Sequence, residues 1–368
     1  MNLDERQRTA LLRLLNALLD QERARTIVPA NAAAPGFWFG GGDLVADDAG
    51  TLWLSGRYRD EGDSRTGLKA GARGLECALF RSDDGGRHFE KVRSWTKTDL
   101  DLGDAAVLSI EGTSLHRRVD GTWELFVSTE KRRAYPDAFA EYQKPGTGVW
   151  SIDRITGGSP GELDASTIAP VLSTDRPDHL HVKDPVVFDM ADGTALAFCT
   201  HPISWASSNT GLAVRPADAS EFEVATWQLV PRGPVWDVAA TRVTDQLRVP
   251  RLGTFRDGPD GSVLFYDGAE SMRRLEENPN AKSRPRGYSC EELGGAMWVP
   301  GDDLAAAQRL SLVRPLFVSP EGTGCSRYVA TLANDEGIWV TWQQGQADGS
   351  QPLVMNHLPA DEVERLLS

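Results

Sequence analysis

The sequence lacks the features that mark several common classes of protein. No run of 18 apolar residues occurs, which argues against a membrane-spanning helix. The four cysteines, Cys77, Cys199, Cys290 and Cys325, lie far apart and form no C-x-x-C pair, so they predict neither a zinc site nor a disulfide framework. We therefore expect free, mostly buried thiols, no bound metal and no cofactor.

Positive charge is also scarce. The chain has 39 Lys and Arg against 53 Asp and Glu, which gives a formal net charge of −14. Proteins that bind nucleic acids usually present basic patches, so this balance argues against a nucleic-acid partner. The N-terminal stretch MNLDERQRTALLRLLNALLDQERARTI is charged throughout and has no apolar segment typical of a secretory signal. We expect a cytoplasmic protein without a membrane partner; the sequence does not indicate an oligomeric state.

Leucine is abundant near the N-terminus at helical spacing. The leucines between positions 11 and 19 recur at intervals of three and four residues, which predicts an amphipathic helix over about residues 3–24. The ending LPADEVERLLS predicts a second, short helix. These patterns divide the chain into an N-terminal helix that packs on the main domain (1–25), the main domain (26–357) and a C-terminal helix (358–368).

Between the predicted helices one short pattern occurs five times. Each copy has a polar corner, an apolar strand, a turn with an acidic residue and glycine, and a second apolar strand. The turn glycines, 71, 72, 68 and 76 residues apart, are Gly50, Gly121, Gly193, Gly261 and Gly337. A hairpin followed by room for two more strands is what one propeller blade requires. The repeat predicts an all-β fold, a five-bladed β-propeller flanked by the two helices, with a closing strand from residues around 26–40.

The segment CALFRSDDGGRHFEKV contains a second structural signal. Its Ser82, Asp84, Gly86 and Phe89 resemble the S-x-D-x-G-x-x-W/F Asp-box of sialidases and other propellers. The resemblance implies a turn that joins the third and fourth strands of blade 1 and lies away from the active site.

Polar residues flank the predicted hairpins at the end opposite their turns. The first strand of each blade lines the central channel, so the residues before the first strand and after the second gather around one opening. Among them are Asp43, Ser114, Asp184, Arg251, Tyr328, Arg57, Arg59, Glu130, His201, Asp267, Glu270, Gln343 and Gln344. Burying charges without partners costs several kcal/mol, so this set favours a site for a polar ligand. Carboxylates with arginines fit glycoside hydrolysis, which needs a carboxylic acid and a second carboxylate.

The copy KDPVVFDMADGTALAF carries a family resemblance. It resembles the D-P-x-x-F-x-D-x-D-G-x-x-Y-L stretch of the five-bladed glycoside hydrolases of family 43, and K-D-P is similar to the R-D-P motif of family 32. The resemblance implies that Asp184 orients the substrate and stabilises the transition state. It also implies a catalytic base or nucleophile at the start of blade 1, where Asp43 is followed by Leu44 instead of proline. The implied general acid is a glutamate in a later blade; we choose Glu270, with Glu130 and Glu292 as alternatives.

Further residues are candidates for binding the substrate. The segment LRVPRLG resembles the R-I-P segment of sialidases, where an arginine binds a carboxylate, which suggests Arg248 or Arg251. Trp205 lies in a loop and is a candidate for stacking on a sugar, as Trp236 also is, whereas Trp53, Trp123 and Trp339 lie in or beside second strands and fit the core better. The complete set of predicted substrate-binding residues is Arg57, Glu130, His181, Lys183, His201, Trp205, Arg251, Asp267, Glu292 and Tyr328.

The sequence therefore predicts a glycoside hydrolase that cleaves a terminal or short-chain bond in a small oligosaccharide or glycoside, with a furanoside such as an arabinofuranoside as the first substrate to consider. The alternatives are a carbohydrate-binding propeller without activity, a sialidase-like enzyme or polysaccharide lyase acting on an acidic sugar, and a scaffold for protein partners. Five repeats and a single Asp-box disfavour a sialidase, which has six blades.

Overall fold

The computed structural model describes residues 2–60, 74–272 and 292–368. Within them the chain forms five antiparallel sheets and two α-helices, and the predicted five-bladed propeller is confirmed. The helices are α1 (Glu5–Leu18) and α2 (Ala360–Leu367). Neither helix is long and apolar enough to cross a bilayer, and the described residues include no other that is.

The strands follow one another blade by blade along the chain. Blade 1 contains β2 (Trp38–Gly40), β3 (Leu44–Ala46), β4 (Leu52–Arg59), β5 (Glu76–Ser82) and β6 (Glu90–Thr96). Blade 2 contains β7 (Val107–Arg117), β8 (Trp123–Lys131), β9 (Val149–Gly157) and β10 (Asp164–Leu172). Blade 3 contains β11 (His181–Met190), β12 (Gly193–His201), β13 (Asn209–Pro216) and β14 (Glu223–Val230). Blade 4 contains β15 (Ala240–Arg248), β16 (Gly261–Ala269), β17 (Leu293–Pro300) and β18 (Gln308–Arg309).

The ring is closed by a strand from the N-terminal region. Blade 5 contains β19 (Ser326–Asn334), β20 (Gly337–Gln344), β21 (Leu353–Pro359) and, at its outer edge, β1 (Arg25–Val28). Strand β1 pairs antiparallel with β21 in the register Arg25↔Met355. The predicted closing strand is therefore confirmed, and it lies at the start of the range, around residues 26–40, in which it was expected.

The Asp-box prediction is also confirmed. The turn joins β5 and β6, which are the third and fourth strands of blade 1 when β2 and β3, both paired with β4, are counted together as the first strand. The Ser82 hydroxyl donates to Asp84 Oδ1 at 2.9 Å, and the same carboxylate oxygen accepts the His88 backbone N–H at 3.0 Å. On the neighbouring blade, the Trp339 indole N–H donates to the Gly85 carbonyl at 3.2 Å. The turn thus stabilises the seam between blades 1 and 5.

Helix α1 is shorter than the leucine pattern suggests. Asp4 caps its first turn by accepting the Gln7 backbone N–H at 2.8 Å. The helix ends at Leu18 because Asp20 Oδ1 accepts the backbone N–H groups of Glu22 and Arg23 at 3.0 and 3.2 Å, which forms a turn leading into β1. The buried leucines of α1 pack against α2 and the sheets of blades 4 and 5, where they share one apolar cluster.

The two ends of the ring differ in the connections they carry. The first and second strands of each blade are joined by a hairpin at one end, for example Met190↔Gly193 in blade 3. At the opposite end, called the mouth below, the first strands begin and the second strands end. Each of β7, β11, β15 and β19 has a break in its pairing register close to the mouth. Side chains at these breaks turn toward the axis and form the site.

Composition-based predictions about the core hold for the described residues. Cys77, Cys199 and Cys325 are buried thiols that form no disulfide with one another, whereas Cys290 lies outside the described residues. The three tryptophans assigned to the core, Trp53, Trp123 and Trp339, are buried, and Trp236 is buried as well.

Candidate active site at the mouth of the propeller

Asp184 is the centre of the site. It lies in the register break of β11 with φ of 52°, a backbone conformation that few residues other than glycine adopt but that aspartate tolerates. Its backbone N–H donates to Ser128 Oγ at 2.9 Å, and its Oδ1 accepts the Gly112 backbone N–H at 3.1 Å. A Cβ on Gly112 would lie 2.7 Å from this oxygen, so only glycine allows β7 to approach so closely. Two strands of blade 2 therefore fix the carboxylate.

Arg242 binds three carboxylates at once. Its Nη1 lies 3.2 Å from Asp184 Oδ2, and its Nη2 lies 2.7 Å from Asp267 Oδ2 and 2.9 Å from Glu292 Oε2. Although burial opposes its charge, these anions and the Tyr328 phenol raise the pKa of Arg242 well above its usual value. Burial raises the pKa of Asp267 to about 6, against the attraction of Arg242. The guanidinium stays charged and links blades 3, 4 and 5.

Tyr328 forms the floor of the mouth. Like Asp184, it has a positive φ, of 54°, and lies at the register break of its strand. Its hydroxyl donates to Asp184 Oδ1 at 3.5 Å, and the Arg242 guanidinium lies 3.9 Å from the centre of its ring. Its backbone N–H donates to Asp267 at 3.1 Å. Blades 3, 4 and 5 thus meet at one aromatic ring.

Glu292 is the most exposed carboxylate of this network, with a fifth of its side chain accessible. It pairs with both Arg242 and Arg327. Burial disfavours its charge, but these two guanidiniums outweigh that effect and hold the pKa of Glu292 well below its usual range. Glu292 is therefore an ionised carboxylate at neutral pH, which does not suit the role of general acid considered from the sequence.

Further cations line the mouth from blades 1, 3 and 5. Arg57 is buried and donates from Nε and Nη2 to Glu111 Oε2 at 3.0 and 2.7 Å. Lys183 Nζ lies 3.5 Å from Asp184 Oδ2. Although burial opposes its charge, Asp184 and Glu111 hold the pKa of Lys183 above its usual value. Trp38 stacks with two guanidiniums, those of Arg59 at 4.2 Å and Arg327 at 4.6 Å from its ring centre.

Asp43 lines the same small cavity as Asp184, but it is bound to the neighbouring blade. The cavity has about 10 Å³, room for roughly one water molecule. Asp43 Oδ2 accepts the Ser114 hydroxyl at 2.6 Å and the Leu115 backbone N–H at 3.0 Å. Burial, with a smaller contribution from Asp245, raises the pKa of Asp43 to about 8. The Asp43 carboxyl group thus keeps its proton to a higher pH than an ordinary aspartate, and one of its oxygens is bound to blade 2.

The repeat itself places Asp43 and Asp184 at different depths. Asp184 lies nine residues before its turn glycine, and the residue nine before the turn glycine of blade 1 is Gly41. Asp43 lies seven residues before that glycine, so its counterpart in blade 3 is Val186. Two residues along a strand correspond to about 7 Å. Asp43 therefore faces the channel below the level at which Asp184 meets the mouth.

An aromatic platform lies beside Lys183 at the mouth end of blade 3. The Trp205 ring centre lies 4.3 Å from that of His181 and 4.6 Å from that of His201. Burial lowers the pKa of His201 to about 3; burial, with a contribution from His201, lowers that of His181 well below its usual value. Both imidazoles are therefore neutral. Trp205, which is partly exposed and has φ of 53°, packs against both imidazoles, which belong to one cross-strand pair.

The remaining predicted residues fall in three places. Glu130 is buried, and its Oε1 accepts the Gly148 backbone N–H at 2.8 Å within blade 2. Glu270 is partly buried and follows β16 at the mouth end. Arg251 is a correction: it is exposed, follows β15 at the hairpin end, and donates to the Arg256 carbonyl at 3.0 Å. Arg248 lies at the same far end, bound to Asp302.

Three central residues were missed from the sequence: Arg242, Glu111 and Arg327. Arg242 was missed because the first strand of blade 4 was assigned too late in the chain. That strand is β15, and the connection from it to Gly261 is longer than in the other blades. Gly112 and Tyr328 each lie nine residues before the turn glycine of their own blade, blades 2 and 5. Glu111 directly precedes Gly112, and Arg327 directly precedes Tyr328. Counting back from the turn glycines would have found both.

Comparison with known proteins identifies the fold. No protein-family model matches the chain, and no curated protein matches its sequence. A glycosyl hydrolase from Bacteroides ovatus has a TM-score of 0.56 at 13% identity, over 91% of this chain and 93% of that one. The alpha-L-arabinofuranosidase from Lactobacillus brevis has a TM-score of 0.55 at 11% identity, over 89% and 92%. The GH43_1 enzyme from Xanthomonas citri complexed with xylotriose has a TM-score of 0.53 at 9% identity, over 96% and 94%. At these identities the similarity establishes a five-bladed fold shared with glycoside hydrolases.

Proposed function

We propose that the protein is a glycoside hydrolase whose active site is the mouth of the propeller. The observation that carries the proposal is the Asp184 carboxylate, which is buried, held by Gly112 from one side and paired with Arg242 and Lys183 from the other. A carboxylate fixed in this way stabilises the positive charge that develops on a sugar ring during cleavage, and it does so without reorganising. The shared fold agrees with this activity.

Two further carboxyl groups complete the proposed chemistry. Glu292 is ionised and partly exposed, so we assign it the role of nucleophile or of base toward water. Glu270 remains the proposed proton donor to the leaving oxygen, because it follows β16 at the mouth and is partly buried. Glu130 is the less suitable donor, since its Oε1 is bound within blade 2.

The platform indicates how a sugar would be held. An apolar face of a sugar ring stacks on Trp205, while Lys183 and Arg242 lie next to Asp184, within reach of hydroxyl groups. A terminal or short-chain glycoside fits this arrangement, and furanosides such as arabinofuranosides are the first substrates to test. Asp267 and Tyr328 orient Arg242 from below, and Arg57 fixes Glu111 beside them.

The roles of Glu292 and Glu270 can be separated by their dependence on the leaving group. For Glu270→Gln we expect a greater loss of kcat/KM on glycosides with poor leaving groups than on dinitrophenyl glycosides, because a good leaving group needs no proton. For Glu292→Ala we expect loss on both, with partial recovery in azide, which takes the place of the missing carboxylate. Steady-state kinetics of both variants test this, with Glu321→Gln as a matched control at an exposed site.

If Glu270→Gln lowered kcat/KM equally for good and poor leaving groups, Glu270 would not be the proton donor. Failure of azide to restore Glu292→Ala would remove Glu292 as the attacking group. A propeller that binds sugars without cleaving them is the second candidate, favoured by the pairing of Asp184, Asp267 and Glu292 with guanidinium groups. Binding of a glycoside by the wild-type protein without any cleavage would select it.

A further inference from the structure

Three polar side chains join neighbouring blades below the mouth. Asp43 of blade 1 accepts the Leu115 backbone N–H of blade 2 at 3.0 Å. Ser114 of blade 2 accepts the Val187 backbone N–H of blade 3 at 3.0 Å. Asp245 of blade 4 accepts the Thr331 backbone N–H of blade 5 at 2.6 Å. We call Asp43, Ser114 and Asp245 the interblade acceptors, because each binds the first strand of the next blade.

The contacts repeat with the register of the blades. Leu115, Val187 and Thr331 each lie six residues before the turn glycine of their own blade. Asp43 and Ser114 each lie seven residues before the turn glycine of theirs. The side chain seven residues before the turn glycine thus accepts one backbone N–H from the first strand of the following blade, both where it is aspartate (Asp43) and where it is serine (Ser114). A group that serine replaces at the next seam has a role in hydrogen bonding, not in attack on a substrate.

The contacts of Asp43 lead directly to Asp184. The Leu115 N–H that Asp43 binds lies three residues after Gly112, whose N–H holds Asp184 Oδ1. Ser114 donates to Asp43 at 2.6 Å and accepts from Val187, three residues after Asp184 on β11. Strand β7, whose Gly112 holds the Asp184 carboxylate, is therefore fastened to one oxygen of Asp43, and strand β11, which carries Asp184, is fastened to the same oxygen through Ser114.

We propose that Asp43 is a positioning residue: its carboxyl oxygen fixes β7 and, through Ser114, β11, so that Asp184 is held at the mouth while Asp43 itself never touches the substrate. The proposal rests on the proposed function for its kinetic consequences. It is supported by the depth of Asp43 below the mouth, by a cavity with room for about one water that both carboxyl groups line, and by the two hydrogen bonds that bind Asp43 Oδ2 to blade 2.

The test compares two substitutions at one position. In Asp43→Asn the amide oxygen still accepts from Leu115 and Ser114, whereas Asp43→Ala removes the acceptor. We expect Asp43→Asn to keep kcat within about 3-fold of wild type, and Asp43→Ala to lower kcat on the order of 10-fold with little change in KM, because a displaced catalytic group costs rate. Asp48→Ala is the matched control: Asp48 also joins blade 1 to β7, through an exposed ion pair with Arg117 at the hairpin end.

Hydrogen exchange provides a readout that does not require activity. The Leu115 amide is expected to be protected equally in the wild-type protein and in Asp43→Asn, and to exchange faster in Asp43→Ala and in Ser114→Ala. If none of the proteins cleaves a glycoside while this pattern holds, the proposed function fails and the positioning role stands.

The proposal is overturned if Asp43→Asn is as inactive as Asp184→Asn while folded, since a reacting carboxylate cannot be replaced by an amide. It is also overturned if Asp43→Asn fails to fold, or if Leu115 exchange is the same in Asp43→Ala as in the wild type. Should Asp43→Ala not fold, Asp43→Asn and Ser114→Ala still decide between the two roles.

Discussion

Asp184→Asn is expected to lower kcat/KM by about 10²–10³-fold while the protein remains folded. The amide keeps the size of the side chain and can still accept the Gly112 N–H, but it carries no negative charge toward the sugar. Losing one preorganised electrostatic group of this kind typically costs that factor. The measurement is steady-state kinetics on an aryl glycoside, with the unfolding temperature as a check on the fold.

The loss should fall mainly on kcat, because the charge on the sugar develops only in the transition state. Asp178→Asn is a suitable control, since Asp178 is exposed and lies close in sequence, in front of β11. If Asp184→Asn kept full activity, Asp184 would not be the stabilising carboxylate, and the mouth would lose the residue on which the proposed chemistry depends.

Arg242→Met is expected to lower the free energy of unfolding by about 3–5 kcal/mol at neutral pH. Methionine fills much of the space of the arginine, but Asp184, Asp267 and Glu292 lose their shared cation in a buried site. Removing one partner of buried ion pairs has this cost because it leaves uncompensated charges. Urea unfolding of the two proteins measures the difference.

The destabilisation should depend on pH. Arg242 lowers the pKa values of Asp267 and Glu292 in the folded protein, so without it these pKa values rise, and the variant regains stability as the pH falls and the two groups bind protons. The deficit is therefore expected to be larger at pH 7 than at pH 5. Arg248→Met removes an exposed ion pair at the hairpin end and should change little at either pH. A deficit that is equal at both pH values would show that packing, not charge, is the function of Arg242.

The fold could be predicted from the sequence because hairpin turns repeat. An acidic residue before glycine between two apolar strands is a local signal, and its recurrence at about 70 residues fixes the number of blades. The closing strand could also be predicted, since the fifth copy runs out of chain before its fourth strand. The length of helix α1 was overestimated. Asp20 ends the helix by accepting backbone N–H groups with its side chain, and the spacing of the leucines gives no sign of these contacts.

The site could be predicted only in part, and the reasons are geometric. Asp184 could be proposed from the sequence because its motif is local. Asp43 was assigned to the reaction because the family resemblance implies a catalytic residue at the start of blade 1, yet two residues along a strand change its depth in the channel and its partners. Arg251 was misplaced because an arginine-rich connection was read as the start of a first strand, whereas β15 precedes it. Arg242 has no local motif, and its importance comes from three carboxylates on other segments of the chain.

The most direct test of the account is whether the wild-type protein hydrolyses a glycosidic bond. A panel of aryl furanosides and pyranosides should be incubated with the protein while proton NMR follows the released sugar. The account predicts that at least one member is cleaved and that the sugar first appears as a single anomer, as a fixed arrangement of carboxylates requires. Absence of cleavage across the panel, or release of an unsaturated sugar that absorbs in the ultraviolet, would contradict it.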